Sequence, residues 1–326
     1  MNARLLVCLV PLAVLSACSP IKFDVAVGPR GSLKPLTVID EPAGTDRVAL
    51  IDLRGLITPP IGGEGPLGGA VPNLSNDLMT RLRLAERDSR VKAVVLRIDS
   101  PGGSVTTSDI IYEEIRRFAT NTKKPVIASL GSVAASGGYY AALAADEIVA
   151  EPTSITGSIG VIIPLIDASG GFDRLGVEST SIVSGPNKDL ANVISGQTPD
   201  NLAVLQAVVD DFFERFKGLV AERRPGIQNL DAVTDGSVFS GERAETLGLV
   251  DSTGTLRDAF ARAKERAGLE HADLVKYGRG KGLPTPYALS EGAMPASDEA
   301  RPLVDLGPIG LPVGVKPGRA YYLWLP

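Results

Sequence analysis

Val91-Lys-Ala-Val-Val-Leu-Arg-Ile98, running directly into Asp99-Ser-Pro-Gly102-Gly103-Ser104, sets an almost continuous apolar segment ahead of a glycine pair. A run of that length and character suits a strand buried on both faces of a parallel sheet, and the glycines suit a tight passage into a helix. The helix is predicted next, since Ser108 to Phe118 carries apolar residues at three- and four-residue spacing. Pro125-Val-Ile-Ala-Ser-Leu130 then repeats the strand pattern. On the other side, Val48-Ala-Leu-Ile-Asp-Leu53 gives a further strand and Asn76 to Arg87 a further helix. Strand and helix alternate, which predicts an α/β domain with a mostly parallel sheet.

Farther along, Glu147-Ile-Val-Ala150, Ile159-Gly-Val-Ile-Ile163 and Ser179-Thr-Ser-Ile-Val183 read as strands bounded by glycine or turn residues. The longest helix follows, with Thr198 as its cap and Pro199 in its first turn. Its stripe of Leu202, Leu205, Val209, Phe212, Phe216 and Leu219 is either core or oligomer contact. Leu256 to Ala267 forms another helix. From Gly278 the chain turns Gly/Pro-rich and ends in the apolar Tyr321-Tyr-Leu-Trp-Leu-Pro326; residues 302–326, apolar and proline-rich, either pack onto the body or a neighbouring subunit, as an added strand along a groove for instance, or stay disordered.

With 326 residues, 44% hydrophobic and 22% charged, the chain can bury a sizeable aliphatic core of one or two domains. A net charge of −5 and the lack of a basic cluster interleaved with aromatics exclude nucleic acid as a partner class. At the N-terminus, Arg4 precedes an apolar run from Leu5 to Leu15, too short to span a bilayer, which reads as an export signal. It ends in Leu15-Ser16-Ala17-Cys18, which resembles the lipobox of bacterial lipoproteins. Cleavage there leaves Cys18 to carry the lipid; Cys8, preceded by Val7, fits poorly. An ordinary secretory peptide or an uncleaved anchor are the alternatives. One cysteine then remains, so the fold holds without internal disulfides. The predicted organisation is a signal peptide over 1–17, a membrane-proximal linker over 18–45, the folded domain over 46–277 and a tail over 278–326.

Chemistry concentrates in Gly131-Ser-Val-Ala-Ala-Ser136-Gly137-Gly138-Tyr-Tyr and in Ser184-Gly-Pro-Asn-Lys188-Asp189. A serine hydroxyl needs a base to take its proton, and the chain's single histidine, His271, lies outside every glycine-rich segment. A lysine kept neutral by burial is the alternative base. Bringing an amine from ~10.4 to roughly 7 takes about 4 to 5 kcal/mol, which burial among apolar groups can supply. Each residue also has a plainer reading. Ser136 can simply cap a helix, and Lys188, beside Asp189, can simply be a solvated loop residue. Thr156-Gly157-Ser158-Ile-Gly160 offers a hydroxyl to align the amine, or just a turn. The amides of Gly103 and Gly137 can face a developing oxyanion. Ser104, Ser132 and Ser184 are competing hydroxyls.

Taken in order, Asp99-Ser-Pro-Gly-Gly, Ala135-Ser136-Gly-Gly-Tyr-Tyr, Thr156-Gly-Ser158-Ile-Gly and Ser184-Gly-Pro-Asn-Lys188-Asp189 resemble the bacterial signal peptide peptidase A family. Gly236-Ser-Val-Phe-Ser-Gly241-Glu-Arg-Ala-Glu-Thr-Leu-Gly-Leu-Val-Asp251 is also similar to that family and to its wider relatives, the Clp protease proteolytic subunit and the crotonases. The likeness runs from about residue 46 to 270. It implies a crotonase-like (Clp protease-like) α/β fold of repeated β-β-α units and a serine/lysine peptidase acting without metal or cofactor. By motif, Ser136 is the nucleophile, Lys188 the general base, Ser158 the hydroxyl that orients the lysine, and Gly103 with Gly137 the oxyanion hole. The resemblance further implies peptide or protein substrates such as spent signal peptides, membrane association and a homo-oligomeric ring. With Cys18 lipidated, the expected location is a bacterial membrane, the catalytic domain facing the periplasm or cell exterior. Cleavage after small or aliphatic residues of extended apolar segments is expected. A non-catalytic lipoprotein scaffold or peptide-binding module of the same fold is the alternative. Two features depart from the family: a lipobox stands in place of a longer membrane helix, and the run from Asp189 to Pro199 differs.

Overall fold

The computed structural model describes residues 32–42, 45–59, 74–278, 285–287 and 319–324. Strand β1 (Lys34–Ile39) and strand β2 (Arg47–Arg54) lead to helix α1 (Leu74–Arg87), strand β3 (Val91–Ser100), the short β4 (Gly102–Ser104) and helix α2 (Val105–Thr122). Next come β5 (Val126–Ala135), α3 (Gly137–Ala142), β6 (Glu147–Ala150), β7 (Ile155–Gly157), α4 (Ser169–Arg174) and the long α5 (Pro199–Arg223). The remainder is β8 (Val238–Ser240), α6 (Gly241–Thr246), β9 (Ser252–Thr253), α7 (Leu256–Arg266), β10 (Asp273–Gly278) and β11 (Tyr321–Leu323).

The main sheet runs β1-β10-β2-β3-β5-β6-β9, parallel throughout except for β1 against β10. This is the α/β, mostly parallel architecture that the alternating pattern predicts, and β3, β4 and α2 form a β-β-α unit within it. Its central strands are apolar on both faces because both are covered. Leu96, Ile98, Leu130 and Ala134 pack toward α1, α2 and α3, while Val95, Ile127 and Val149 pack toward Phe260 and Ala263 of α7. Burying one such aliphatic side chain contributes roughly 1.5–3 kcal/mol. Helix ends follow the sequence: the Thr198 hydroxyl accepts from Asn201 N, and Thr255 with Asp258 closes a capping box.

Strand β5 belongs to two ladders. Ile127 to Leu130 pairs with β6, and Val133 to Ala135 pairs with β7, which carries β8 on its far edge. Between these halves the register against β3 slips, so that Ile98 faces Leu130 but Ser100 faces Ala134. Asp99 Oδ1 accepts from Val133 N across the slip (3.2 Å), and its Oδ2 holds Arg54 at 2.7 Å. The bulge re-aims the last residues of β5.

Several elements differ from expectation. Lys34–Ile39, within the stretch read as linker, is an edge strand on β10. Ser179 to Val183 forms no strand, and Ile182 is fully exposed. In Ile159 to Ile163 only Ile162 makes a bridge, to Tyr321. Of the α5 stripe, Phe216 is buried, Phe212 and Leu219 are partly buried against the core, Leu205 and Val209 are half-buried, and Leu202 is exposed. Residues 1–17 and Cys18 lie outside the described residues.

Strand β10 brings a cation inside. Lys276, 3% exposed, sits 3.3 Å from Asp52, which also binds Arg97 at 2.6 Å. Burial brings Lys276 down to about 8 against the pull of Asp52, which favours the charge. The unfolded chain keeps this proton up to roughly 10.4, so between these values it binds more protons than the native state, and stability rises with pH. Urea midpoints are therefore expected to climb from pH 8 toward 10, by at most about 3 kcal/mol from this group. In Lys276→Met that slope should vanish; an unchanged slope would refute the assignment.

Candidate active site

The bulged end of β5 delivers Ser136 into a sharp strand-to-helix turn. Its backbone stands at φ 52 and ψ −116, a left-handed conformation uncommon for a residue with a Cβ. The amide of Ser136 donates to Gly157 O (2.8 Å) and its carbonyl accepts from Tyr140 N (2.8 Å), fixing the turn on both sides. The hydroxyl does not cap α3, and at 1% exposure Ser136 Oγ has no hydrogen-bond partner among the described residues. A helix cap would use that oxygen. A strained residue presenting an unused, buried hydroxyl is instead the arrangement of a nucleophile at a strand-to-helix elbow.

The glycine loops meet at this turn. A Cβ on Gly137 would stand 3.1 Å from Gly103 N and 2.5 Å from Ser108 Oγ, so the two peptide segments are in direct contact. Gly102, at φ 100, could carry no side chain either, since a Cβ there would lie 2.6 Å from Gly137 N and collide with Tyr322 O. The two predicted oxyanion donors are thus brought together beside Ser136.

Ser158 follows β7, whose Gly157 faces Ala135 in the ladder, so Ser158 and Ser136 leave neighbouring strand ends side by side. It too has a positive φ, 49°, and its amide donates to Ser237 O at 2.7 Å. Behind the turn, Tyr139 OH donates to Leu249 O (2.7 Å), tying α3 to the Gly236 to Asp251 segment.

Lys188 is not brought to this cluster within the single chain. It is exposed in the loop between α4 and α5, where its amide donates to Gly185 O (3.1 Å). Asp189 is turned away from it: Ser181, Asn192 and Ser195 hydrogen-bond its carboxylate, holding it below the usual carboxylate range despite a small opposing effect of burial. Of the competing serines, Ser132 and Ser184 are exposed and Ser104 lies in β4. His271 sits beside Glu41, ahead of β10, and Ser136 Oγ makes no hydrogen bond to it.

Sequence reasoning missed the aromatic group next to the turn. Tyr140 stacks on Tyr322 (5.0 Å, 20°), with Phe216 and Tyr112 against it, and its OH donates to Asp109 Oδ1 (2.7 Å), which also binds Arg215. In the sequence, Tyr139-Tyr140 reads only as helical composition.

Residues 119–270 match the sequence profile of peptidase family S49. Protease 4 of Salmonella typhi is 35% identical over 71% of this chain and 36% of its own length, and the chloroplastic serine protease SPPA of Arabidopsis thaliana is 33% identical over 69% and 33%. An Enterococcus faecium protein carrying the name signal peptide peptidase SppA is 30% identical over 73% of this chain and 69% of its own. The chain thus spans about a third of the length of the first two relatives and about two thirds of the last. Among solved structures, a mutant of ClpP1 from Listeria monocytogenes is similar with a TM-score of 0.42 at 18% identity, over 64% of this chain and 93% of its own. The chain belongs to peptidase family S49, the signal peptide peptidase A family of serine peptidases.

Proposed function

We propose that the chain is a membrane-anchored serine endopeptidase in which Ser136 attacks the carbonyl carbon of an extended peptide and Lys188 takes the hydroxyl proton. The N–H groups of Gly103 and Gly137 stabilise the oxyanion, and Ser158 orients the amine. Collapse of the tetrahedral intermediate leaves an acyl ester on Ser136, while the lysine passes the proton to the departing amine. Water then releases the acyl group by the same route. The observation that carries this reading is the strained, buried Ser136 whose hydroxyl no neighbour uses. A fluorophosphonate probe should add once to the chain, at Ser136. A folded protein left unmodified would favour the scaffold reading.

The lysine reaches the serine from a second copy of the chain. In support, Lys188 is exposed, and the same part of the chain leaves Leu175, Val177, Ile182, Val183, Leu202 and Val208 uncovered. Exposed apolar side chains in one part of the chain suit an interface, and a repeated heterologous contact makes a ring where its rotation closes. Cys18 supplies the anchor, placing the domain outside the cytoplasm. Among the described residues no helix is long and apolar enough to cross a membrane. An alkyne-tagged fatty acid should label the wild type but not Cys18→Ala; equal labelling would end the anchor assignment.

A further inference from the structure

The last described residues of the chain lie inside the candidate site. One edge of β4 is already taken, because Ile57 N donates to Gly102 O and Ser104 N to Ile57 O, each at 2.8 Å. The opposite edge carries β11, antiparallel, with Tyr321 facing Ser104, Tyr322 facing Gly103 and Leu323 facing Gly102. Trp324 N continues the ladder to Pro101 O (2.9 Å). The far edge of β11 is bonded in turn to Ile162, four residues beyond Ser158, through Tyr321 N to Ile162 O (2.8 Å) and Ile162 N to Tyr321 O (3.0 Å). Tyr321 to Leu323 therefore fills a slot between the segment bearing Gly103 and the segment that follows Ser158.

An extended peptide reaching Ser136 needs a strand edge to lie on, and within this slot β4 offers only the one that β11 covers. The side chains alternate as a bound peptide's would. Tyr322 enters a closed aromatic pocket: it stacks on Tyr140, meets Phe216 at 4.8 Å, and donates its OH to Phe212 O at 2.9 Å. Tyr140 is on the helix that begins at Ser136, so the pocket adjoins the nucleophile. Tyr321 and Leu323 turn to the other face, against Leu56.

We propose that β11 is a resident occupant of the peptide cleft, displaced by substrate, and that its pocket makes the site selective for extended apolar segments with a tyrosine or phenylalanine at the position facing Gly103. This rests on the peptidase reading of the same site. The contacts that hold the occupant are non-covalent and include a three-residue ladder on β4, the bridge to Ile162, the bond from Trp324 N, the rings of Tyr140 and Phe216 and one hydroxyl hydrogen bond. A competing peptide with the same features makes the same contacts, so occupancy follows concentration.

The test uses a chain ended at Gly318 and the octapeptide Arg-Ala-Tyr-Tyr-Leu-Trp-Leu-Pro. The shortened chain should hydrolyse apolar reporter peptides about tenfold faster than the full chain, and the octapeptide should bind it and slow it. An octapeptide with alanine in place of the second tyrosine should bind about tenfold more weakly. A shortened chain that binds no octapeptide, or that loses hydrolysis and regains it when the octapeptide is added, would overturn the proposal; the second result would make β11 a fixed wall. If the shortened chain does not fold, full-length Tyr322→Ala serves instead, with faster fluorophosphonate labelling of Ser136 expected and an unchanged rate contradicting. Octapeptide binding needs no catalysis, so it can succeed even if Ser136 proves unreactive, which would sink the peptidase reading alone.

Discussion

Ser136→Ala is expected to lower peptide hydrolysis by about four orders of magnitude while leaving the fold at least as stable as before. The loss of rate follows from removing the attacking oxygen. The stability result is more discriminating. A buried hydroxyl without a partner costs about 1–3 kcal/mol of desolvation, and Ser136 Oγ is such a group. Deleting it should raise or preserve the urea midpoint. Ser136→Gly should raise it further, because a left-handed residue with a Cβ carries roughly 1–3 kcal/mol of strain that glycine relieves. A serine that merely caps a helix behaves in the opposite way, with alanine destabilising by about 1 kcal/mol. Equilibrium unfolding of the three proteins, set beside their hydrolysis rates, separates the two roles.

Lys188→Ala should reduce hydrolysis by about three orders of magnitude, within the range set by loss of a general base. Folding should be untouched, since the side chain is exposed in the single chain. Where the missing base comes from can be read by mixing. If each site takes its serine from one copy and its lysine from the next, co-assembled Ser136→Ala and Lys188→Ala chains form some intact sites. Random assembly should then return about a quarter of wild-type activity, one pairing in four being intact. No recovery in co-purified mixed assemblies would place both groups in one chain and would require the loop around Lys188 to fold inward.

How far the sequence could be read depends on what holds each element. Val91 to Ile98 and Val126 to Leu130 were legible because strands covered on both sides leave an unbroken apolar run. Strand β10 was not, because Lys276 interrupts its run and is paired inside with Asp52, far away in the sequence. Strands β4, β7, β8, β9 and β11 have two or three residues each and owe their form to partners far along the chain. Ser179 to Val183 has strand composition without a strand to pair with. At the site, motif order was enough to gather Ser136, Ser158, Gly103 and Gly137. Lys188 stays exposed in its loop, and no local pattern signals that.

The bond from Tyr139 OH to Leu249 O, with that from Ser158 N to Ser237 O, braces the elbow from the last third of the chain. The smallest autonomous fragment able to hold the nucleophile in place must consequently extend past Leu249, although every predicted catalytic group precedes residue 189. Dissection experiments that stop shortly after α5 would retain Ser136, Ser158 and Lys188 and lose both of these braces.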